Sequence, residues 1–293
     1  MNNTQVDDMI KDIMNKCDES EKQGQEKYDL ADTMLQSMKS DAVSKGDQAL
    51  AKAIWCCQTI LKAHWHYQTA FVQMHGDDFY VGWCSLEQAE LQLHFLERHY
   101  TTDEKDSFGI TFMSRQIPKF QAIFPYKMFM SPGFIKEEVI CSICEKKISI
   151  RSHCGHMPGE IYDGEQCGRI ITKSTLLEIS MTPDPLQKYS VTFLVDEKTG
   201  ERVEYDYTRV KYVVQGLRSP FHDWDMEETT IRHPHRLFAD VDFDEDCPCG
   251  SDIKYKDCCL PVEEGVLRPH MRVTFHVPPP PNLPSIVYPG DDI

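Results

Sequence analysis

Four cysteines near the C-terminus could form a metal site: Cys247, Cys249, Cys258 and Cys259. The first two are separated by one residue, and the adjacent second pair follows after eight intervening residues. Thiolates are soft ligands, and four of them suit a tetrahedral zinc ion at about 2.3 Å. Pro248 and Gly250 permit a tight turn that directs the first two sulfurs inward. The spacing therefore predicts a metal site, with zinc as the default ion and iron as the alternative for an all-sulfur site.

A second group of metal-ligating residue types lies in the middle of the chain: Cys141, Cys144, Cys154, His156 and Cys167, with His153 beside them. The Cys-x-x-Cys spacing directs two sulfurs toward one ion, whereas the later spacing is irregular. A closed tetrahedral site needs four ligands. We expect Cys141, Cys144, Cys154 and Cys167 to bind the ion, with His156 as the substitute. Free buried thiols and a redox Cys-x-x-Cys pair are the alternatives.

Both predicted sites are closed, and this bears on catalysis. When protein side chains fill every position around an ion, no position remains for a water molecule or a substrate. The chain also has no Walker A loop and no dinucleotide-binding fingerprint. We therefore expect two structural Zn²⁺ ions coupled to folding, and no enzymatic activity.

Composition indicates which partners and which cellular compartment to expect for these sites. The 47 Asp and Glu residues exceed the 31 Lys and Arg residues, giving a formal charge of -16. Bulk electrostatic binding of nucleic acid is not expected, because phosphate contacts need clustered cations. The sequence shows no apolar run long enough for a membrane span and no signal-peptide pattern at its start. We expect a cytoplasmic location, where 12 cysteines indicate metal binding rather than disulfides.

Helical periodicity dominates the first third of the chain and predicts a helical domain over residues 1–105. Four apolar stripes carry the prediction, namely Val6, Ile10, Ile13 and Cys17; Leu30, Met34, Leu35 and Met38; Leu50, Ile54, Cys57, Leu61 and Trp65; and Leu86, Ala89, Leu93 and Leu96. Ser85 has the form of a capping residue that opens the fourth helix. Isolated helices are marginal in water, so we expect a bundle.

The remainder of the chain has predicted strands that follow the helical domain, so the predicted fold class is α+β. Strands are predicted at 110–112, 189–195 and 271–277, a hairpin turn at 196–200, and a loop or linker at 221–246. We assign 106–240 to a central α+β domain that carries the middle metal site. A metal knuckle at 241–262 and an extended Pro-rich tail at 263–293 follow.

The C-terminal run Cys247-Pro248-Cys249-Gly250-Ser251, ending in Cys258-Cys259, resembles the SEC-C motif. That motif occurs at the tail of the SecA preprotein translocase and in several small bacterial proteins, and it usually carries a second glycine where this chain has Asp252. The resemblance implies that the four cysteines are the ligands. It also implies docking to a chaperone, a ribosome or another protein complex.

The central segment, with Cys-x-His-x-x-Gly-x-x-Tyr-Asp-Gly-x-x-Cys from Cys154 to Cys167, also looks like zinc-bearing relatives of tailed-phage prohead proteases. This resemblance implies that Ser180 is a nucleophile, with His153 or His156 as its base. The preferred function is therefore a cytoplasmic, zinc-binding interaction or adaptor protein with two structural sites. A serine peptidase and a phage-defence component are the alternatives.

Overall fold

A computed structural model of the chain describes residues 21–102 and 106–288. The chain divides into two compact units, Met1–Tyr205 and Asp206–Ile293. The mixture of helices and strands confirms the α+β class, and the finer division into four segments stays a prediction. The first predicted stripe, from Val6 to Cys17, lies outside the described residues. None of the helices in the described part is both long and apolar enough to cross a bilayer.

The first unit begins with a helical bundle, as predicted. Its helices are α1 (Glu21–Ser44), α2 (Gln48–His75), α3 (Phe79–Leu96) and α4 (Ile110–Ile123). Helix α2 supplies much of the core, and its predicted members Ile54, Cys57 and Leu61 are buried. The side chain of Asp47 caps α2 by accepting a hydrogen bond from the backbone N–H of Leu50 at 2.9 Å.

The buried face of α1 differs from the predicted stripe. Leu35 is buried as predicted, but Leu30 and Met34 are 62% and 56% exposed, and Ala31 and Ala42 are buried instead. The inward face is therefore rotated by about one residue, toward small side chains. Alanine permits close packing of helix backbones, and hydrophobicity alone did not indicate that preference.

The predicted start of the fourth stripe was wrong. Helix α3 begins at Phe79, so Ser85 lies inside the helix, where its hydroxyl donates to Gln73 Oε1 at 2.7 Å. The chain reverses earlier, at Asp77, which has a positive φ of 64°. The apolar members of the stripe, from Leu86 to Leu96, are buried as predicted.

The strand predicted at 110–112 was also wrong, because these residues open α4. The carboxylate of Asp106 accepts hydrogen bonds from the backbone N–H groups of Thr111 and Phe112, at 3.1 and 3.0 Å. Side-chain oxygens that accept from the first turn stabilise a helix start. Three β-prone residues are too short a signal to outweigh that cap and the packing of the amphipathic helix behind it.

A long two-stranded ribbon follows the helices. It pairs β1 (Phe129–Cys141) with β4 (Arg169–Thr182) in antiparallel fashion. Phe129 is buried at one end and stacks on Trp83 of α3 with ring centroids 6.0 Å apart. The strand predicted at 189–195 forms only isolated bridges, from Val191 to Phe129 and from Val195 to Arg202, and Phe193 between them packs edge-on against Tyr126. The turn at 196–200 forms as predicted.

A short hairpin at the other end of the ribbon contacts the bundle. It consists of β2 (Ile161–Tyr162) and β3 (Glu165–Gln166), joined by Asp163 and Gly164 at positive φ. Gln48 and Asp163 exchange two hydrogen bonds, at 2.6 and 3.0 Å. Lys39 of α1 pairs with Glu165 at 2.6 Å.

The second unit is built on another antiparallel pair, β5 (Trp224–His233) and β6 (Val266–Phe275), with helix α5 (Thr208–Gly216) before it. Strand β6 contains most of the predicted strand at 271–277. The loop prediction for 221–246 was wrong, because β5 occupies its first half. Strand β5 is rich in charge, yet Trp224 and His233 at its two ends are buried, and Met226, Thr229 and Ile231 between them are partly buried. Two short 3₁₀ helices, His235–Phe238 and Tyr255–Asp257, complete the unit.

Candidate metal centres

The four C-terminal cysteines converge on one point. The sulfur atoms of Cys249 and Cys258 lie 3.6 Å apart, those of Cys258 and Cys259 lie 3.9 Å apart, and all four, including that of Cys247, lie within 4.8 Å of one another. Two sulfurs bound tetrahedrally to zinc at about 2.3 Å are separated by about 3.8 Å. The spacing of the sulfurs therefore fits a tetrahedral metal ion, although the metal itself is not shown.

Local backbone geometry produces the first half of this C-terminal centre. The N–H of Cys247 donates to the carbonyl of Ile253 at 2.7 Å, and the N–H of Gly250 donates to the carbonyl of Cys247 at 3.0 Å. Gly250 and Asp252 both have positive φ, at 78° and 58°. Aspartate tolerates this conformation better than most residues with a side chain. Asp252 can therefore replace the second glycine of the usual motif.

The second half of the C-terminal centre depends on a small apolar core. Tyr255, Cys259 and Val266 are buried together with Cys247, and Phe238 packs against them. The 3₁₀ turn at Tyr255–Asp257 places the last two cysteines on this core. Because thiols contribute to the packing, the site and the fold of this segment depend on each other.

Sequence reasoning missed His235, which supports the same core. Its Nε2 lies 2.8 Å from the carbonyl oxygen of Val262, and its Nδ1 lies 2.7 Å from the hydroxyl of Tyr255. A carbonyl only accepts, so Nε2 carries the proton, and Nδ1 of the neutral ring accepts from the Tyr255 hydroxyl. The histidine-proline-histidine sequence around it gave no signal that distinguished this role from that of a surface loop.

The cysteines of the C-terminal centre differ in how readily they ionise. The hydroxyl of Ser251 is the main cause that lowers the pKa of Cys249 to about 6. Burial raises the pKa of Cys247 to about 12. Without metal, one thiolate forms near neutral pH while its buried neighbour resists ionisation. A bound cation reverses that resistance, because metal ligation requires the thiolate form.

The two lysines of the motif are paired with acidic residues. Lys254 lies 2.8 Å from Asp246, and Lys256 lies 2.5 Å from Asp244. All four side chains are about half exposed or more, so each pair contributes little to stability. Their effect is to neutralise the positive charge that the motif would otherwise present.

The central cluster also brings four donors together: Cys141, Cys144, Cys154 and His156, whose ligand atoms all lie within 4.8 Å of one another. The Nδ1 atom of His156 is 3.7 Å from the sulfur of Cys141. His153 is not part of this group. The structure therefore assembles three cysteines and one histidine around a common point.

Cys167, the expected fourth ligand, lies outside that group of four. Its sulfur is 3.9 Å from that of Cys141, because the pairing of β1 with β4 sets Cys141 opposite Arg169, which follows Cys167 by two residues. His156 instead completes the group, and its ring packs edge-on against Tyr162 at a centroid distance of 4.6 Å. The structure thus favours the histidine over the cysteine that the sequence favoured.

The Cys-x-x-Cys segment of the central cluster forms a tight turn after β1. The N–H of Cys141 donates to the carbonyl of Lys146 at 3.0 Å, and the N–H of Glu145 donates back to Cys141 at 2.9 Å. Ser142 and Gly168, the residue before β4, form two hydrogen bonds, at 3.2 and 2.7 Å. These contacts hold both sides of the cluster in one place.

Arg169 is a second supporting residue that the sequence did not reveal. Its guanidinium donates to the sulfur of Cys167 at 3.7 Å and to the carbonyl of His156 at 2.9 Å. One cation thus holds both candidates for the fourth ligand position. Groups around the ligands commonly set ligand orientation and metal affinity.

Ionisation within the central cluster is also uneven. Burial opposes ionisation of Cys141, but the N–H groups of Cys144 and Ile143 and the neighbouring thiols outweigh it and lower its pKa to about 6. Burial raises the pKa of Cys167. Cys141 therefore ionises more readily than Cys167, and it is the residue that both fourth-ligand candidates contact.

Ser180 lacks the surroundings of a nucleophile. Its hydroxyl donates to the backbone carbonyl of Ser131 across the ribbon at 3.2 Å. Ser180 is eleven residues along β4 from Arg169, which lies at the end that holds His156; this separation is roughly 36 Å in an extended strand. Within the described residues, His156 therefore cannot act as the base that a serine nucleophile needs, and the peptidase prediction is not supported.

Comparison with known proteins supports one of the two resemblances. Residues 245–261 match the SEC-C motif, and this range includes all four C-terminal cysteines. No curated protein and no solved structure matches the chain significantly. The match is confined to that short segment, so it identifies the motif and not the family of the whole chain. The likeness to prohead proteases receives no support.

Proposed function

We propose that this chain is a non-catalytic adaptor protein, in which two structural zinc ions hold protein-docking surfaces in shape. One ion is bound by the four C-terminal cysteines, and the other by the central Cys141, Cys144, Cys154 and His156. The observation that carries the proposal is the spacing of the donor atoms. In each group all four lie within 4.8 Å of one another, and the sulfur separations of 3.6 and 3.9 Å in the C-terminal group match the edges of a tetrahedral zinc site.

Both centres have four protein donors, which favours a structural over a catalytic ion. Catalytic zinc typically keeps one position for water, whereas structural zinc is closed by four protein ligands. The central set of three cysteines and one histidine suits zinc. The all-sulfur set near the C-terminus also suits iron, which is the alternative for that site alone.

The proposed partner is a protein, and the proposed place of action is the cytoplasm. The SEC-C match supports a chaperone, ribosome or other complex as the partner. The pairing of Lys254 and Lys256 with acidic residues favours a protein surface over nucleic acid, in line with the net charge of -16. None of the cysteines in the described part of the chain forms a disulfide, which agrees with a reducing compartment.

Native mass spectrometry combined with elemental analysis tests the metal assignment. We expect two zinc ions per wild-type chain and one ion in each of two variants, Cys258→Ser and Cys144→Ser. Cys84→Ser is the matched control, because Cys84 is partly buried but belongs to neither cluster, and it should retain two ions. A folded wild-type chain that carries no ion would contradict the proposal.

Quantitative affinity capture tests the adaptor role. Proteins bound by the wild-type chain should be lost from the Cys258→Ser variant and retained by Cys84→Ser. If a folded Cys258→Ser chain with one remaining ion keeps every partner, the C-terminal centre does not shape the docking surface.

A further inference from the structure

The β1–β4 ribbon has one apolar face that is exposed in the described chain. Six of its large side chains are about half exposed: Met130, Phe134, Leu176, Leu177, Ile179 and Met181. The register places Met130 opposite Met181, Pro132 opposite Ile179, and Phe134 opposite Leu176. Paired residues point to the same side of a sheet, so these side chains form one continuous surface.

The opposite face of the same stretch is polar. Ser131 pairs with Ser180, and Gly133 pairs with Glu178. Alternation of this kind is typical of a strand pair with one face in solvent and one face buried. The alternation therefore predicts that the apolar face is buried against a partner. In the described chain, however, Ile179 and Leu177 are 59% and 62% exposed, so none of the described residues covers this face.

The ribbon is fixed at both ends, so its apolar face is held in place. Phe129 packs on Trp83 at one end. At the other end, the central cluster and its hairpin are joined to α1 and α2 through Lys39 and Gln48. A two-stranded ribbon alone is marginally stable, and these attachments allow it to present an ordered surface.

We propose that this apolar face of the ribbon is the interface of a homodimer, in which two copies pack face to face around a two-fold axis. Antiparallel packing would set Met130 and Met181 of one copy against Leu176 and Leu177 of the other. The inference goes beyond the adaptor role and does not depend on it.

Area and charge favour a second copy as the partner. Six half-exposed large side chains offer on the order of 600 Å² per copy, against about 800 Å² per partner in a standard interface. The face carries no charged side chain, whereas the chain as a whole carries a net charge of -16. A net charge of one sign opposes the association of two copies, so an interface between them requires a face without charged side chains, and this face meets that requirement.

The edges of the ribbon are less suitable for self-association than its face. The register shifts near Phe134, Lys136 and Glu138 bulge the strands, and bulges disfavour continuous edge-to-edge pairing. Face-to-face packing needs no unbroken ladder of hydrogen bonds and tolerates these shifts.

Sedimentation velocity on the zinc-loaded full chain tests the proposal. The wild type is measured at protein concentrations up to about 100 μM, which exceeds the micromolar dissociation constants of the weaker interfaces of this kind. Within that concentration range it should sediment as a dimer of twice 33.9 kDa. The variants Ile179→Lys and Phe134→Lys should raise the dimer dissociation constant by about 30-fold or more.

Ser180→Lys is the matched control, since it adds the same charge at the neighbouring position on the polar face, and it should leave the constant unchanged. Ile179→Ala removes area without adding charge and covers the case in which a lysine variant misfolds. A wild type that stays monomeric at every concentration overturns the proposal. The proposal is also overturned if the wild type dimerises but Ile179→Ala and Ile179→Lys raise the dissociation constant no more than Ser180→Lys does. The zinc content of each variant is measured alongside, so a failed dimer is distinguishable from a failed metal site.

Discussion

The ring of His235 accepts a hydrogen bond from the hydroxyl of Tyr255, with 2.7 Å between the two heavy atoms. This contact joins the short helix after β5 to the turn that carries Cys258 and Cys259. Tyr255 is only 3% exposed, so its hydroxyl depends on this partner. The C-terminal metal centre is therefore supported by a residue outside the matched motif, and its geometry depends on the unit around it.

We expect His235→Ala to weaken metal binding at the C-terminal centre. Its loss leaves the buried Tyr255 hydroxyl without its partner, at about 1–3 kcal/mol, whereas the Val262 carbonyl still accepts from the N–H of Gly265 at 3.0 Å. The zinc affinity of this site should fall by about 10-fold or more, as measured by competition with a chromophoric chelator. His276→Ala is the control, because His276 pairs with Asp225 at the surface of the same unit. Equal affinities in the two variants would contradict the supporting role.

Removing His156 and removing Cys167, the two candidates for the fourth ligand, should have different effects on zinc binding at the central site. His156→Ala should lose the central zinc, whereas Cys167→Ala should retain it with modestly reduced affinity, because His156 belongs to the group of four and Cys167 does not. Zinc stoichiometry from native mass spectrometry reports the outcome directly. Retention of the ion in His156→Ala with its loss in Cys167→Ala would instead identify four cysteines as the ligands.

Gly164→Ala should destabilise the first unit more than Gly200→Ala does. The two glycines have nearly the same φ, 70° and 72°, so the backbone strain of an alanine is matched. A Cβ atom at Gly164 would lie 2.6 Å from Cδ of Lys39, whereas Gly200 has no atom within 4 Å. The difference in unfolding free energy should be about 1–3 kcal/mol, measured by urea denaturation. Equal losses would mean that the hairpin does not dock on α1 as described.

The stability of the first unit should depend on pH through His64. Burial lowers its pKa to about 4, from an ordinary value of 6.5, and its Nε2 lies 2.6 Å from the carbonyl of Phe108. The unfolded chain therefore binds a proton between pH 6.5 and 4 while the folded chain does not. The stabilising contribution is complete above pH 6.5 and is lost as the pH falls toward 4, by about 3 kcal/mol in total.

Urea denaturation at several pH values checks the His64 prediction against His64→Asn. Asparagine retains a donor for the Phe108 carbonyl but does not titrate. Metal release at low pH affects both proteins equally, so the comparison isolates the histidine. Parallel pH profiles in the two proteins would refute the assignment.

The sequence predicts local features of this protein better than long-range ones. The C-terminal centre was predicted correctly as a donor group because its four cysteines lie within thirteen positions and a tight turn brings them together. The bundle was predicted because periodicity is also local, although small residues shifted the buried face of α1. The fourth member of the central group, His156, was predicted only as the substitute for Cys167, because the β1–β4 register and Arg169, which place these two residues, are not visible in local spacing.

Gln48 and Asp163 exchange two hydrogen bonds although they are 115 positions apart. Domains generally begin to fold while the chain is being synthesised, N-terminal parts first. The helices that receive the hairpin are thus completed before the central cysteines emerge, whereas the last four cysteines emerge almost together. The two cysteine clusters consequently form in different ways. The central cluster forms against helices that are already folded, whereas the C-terminal centre forms within one short segment.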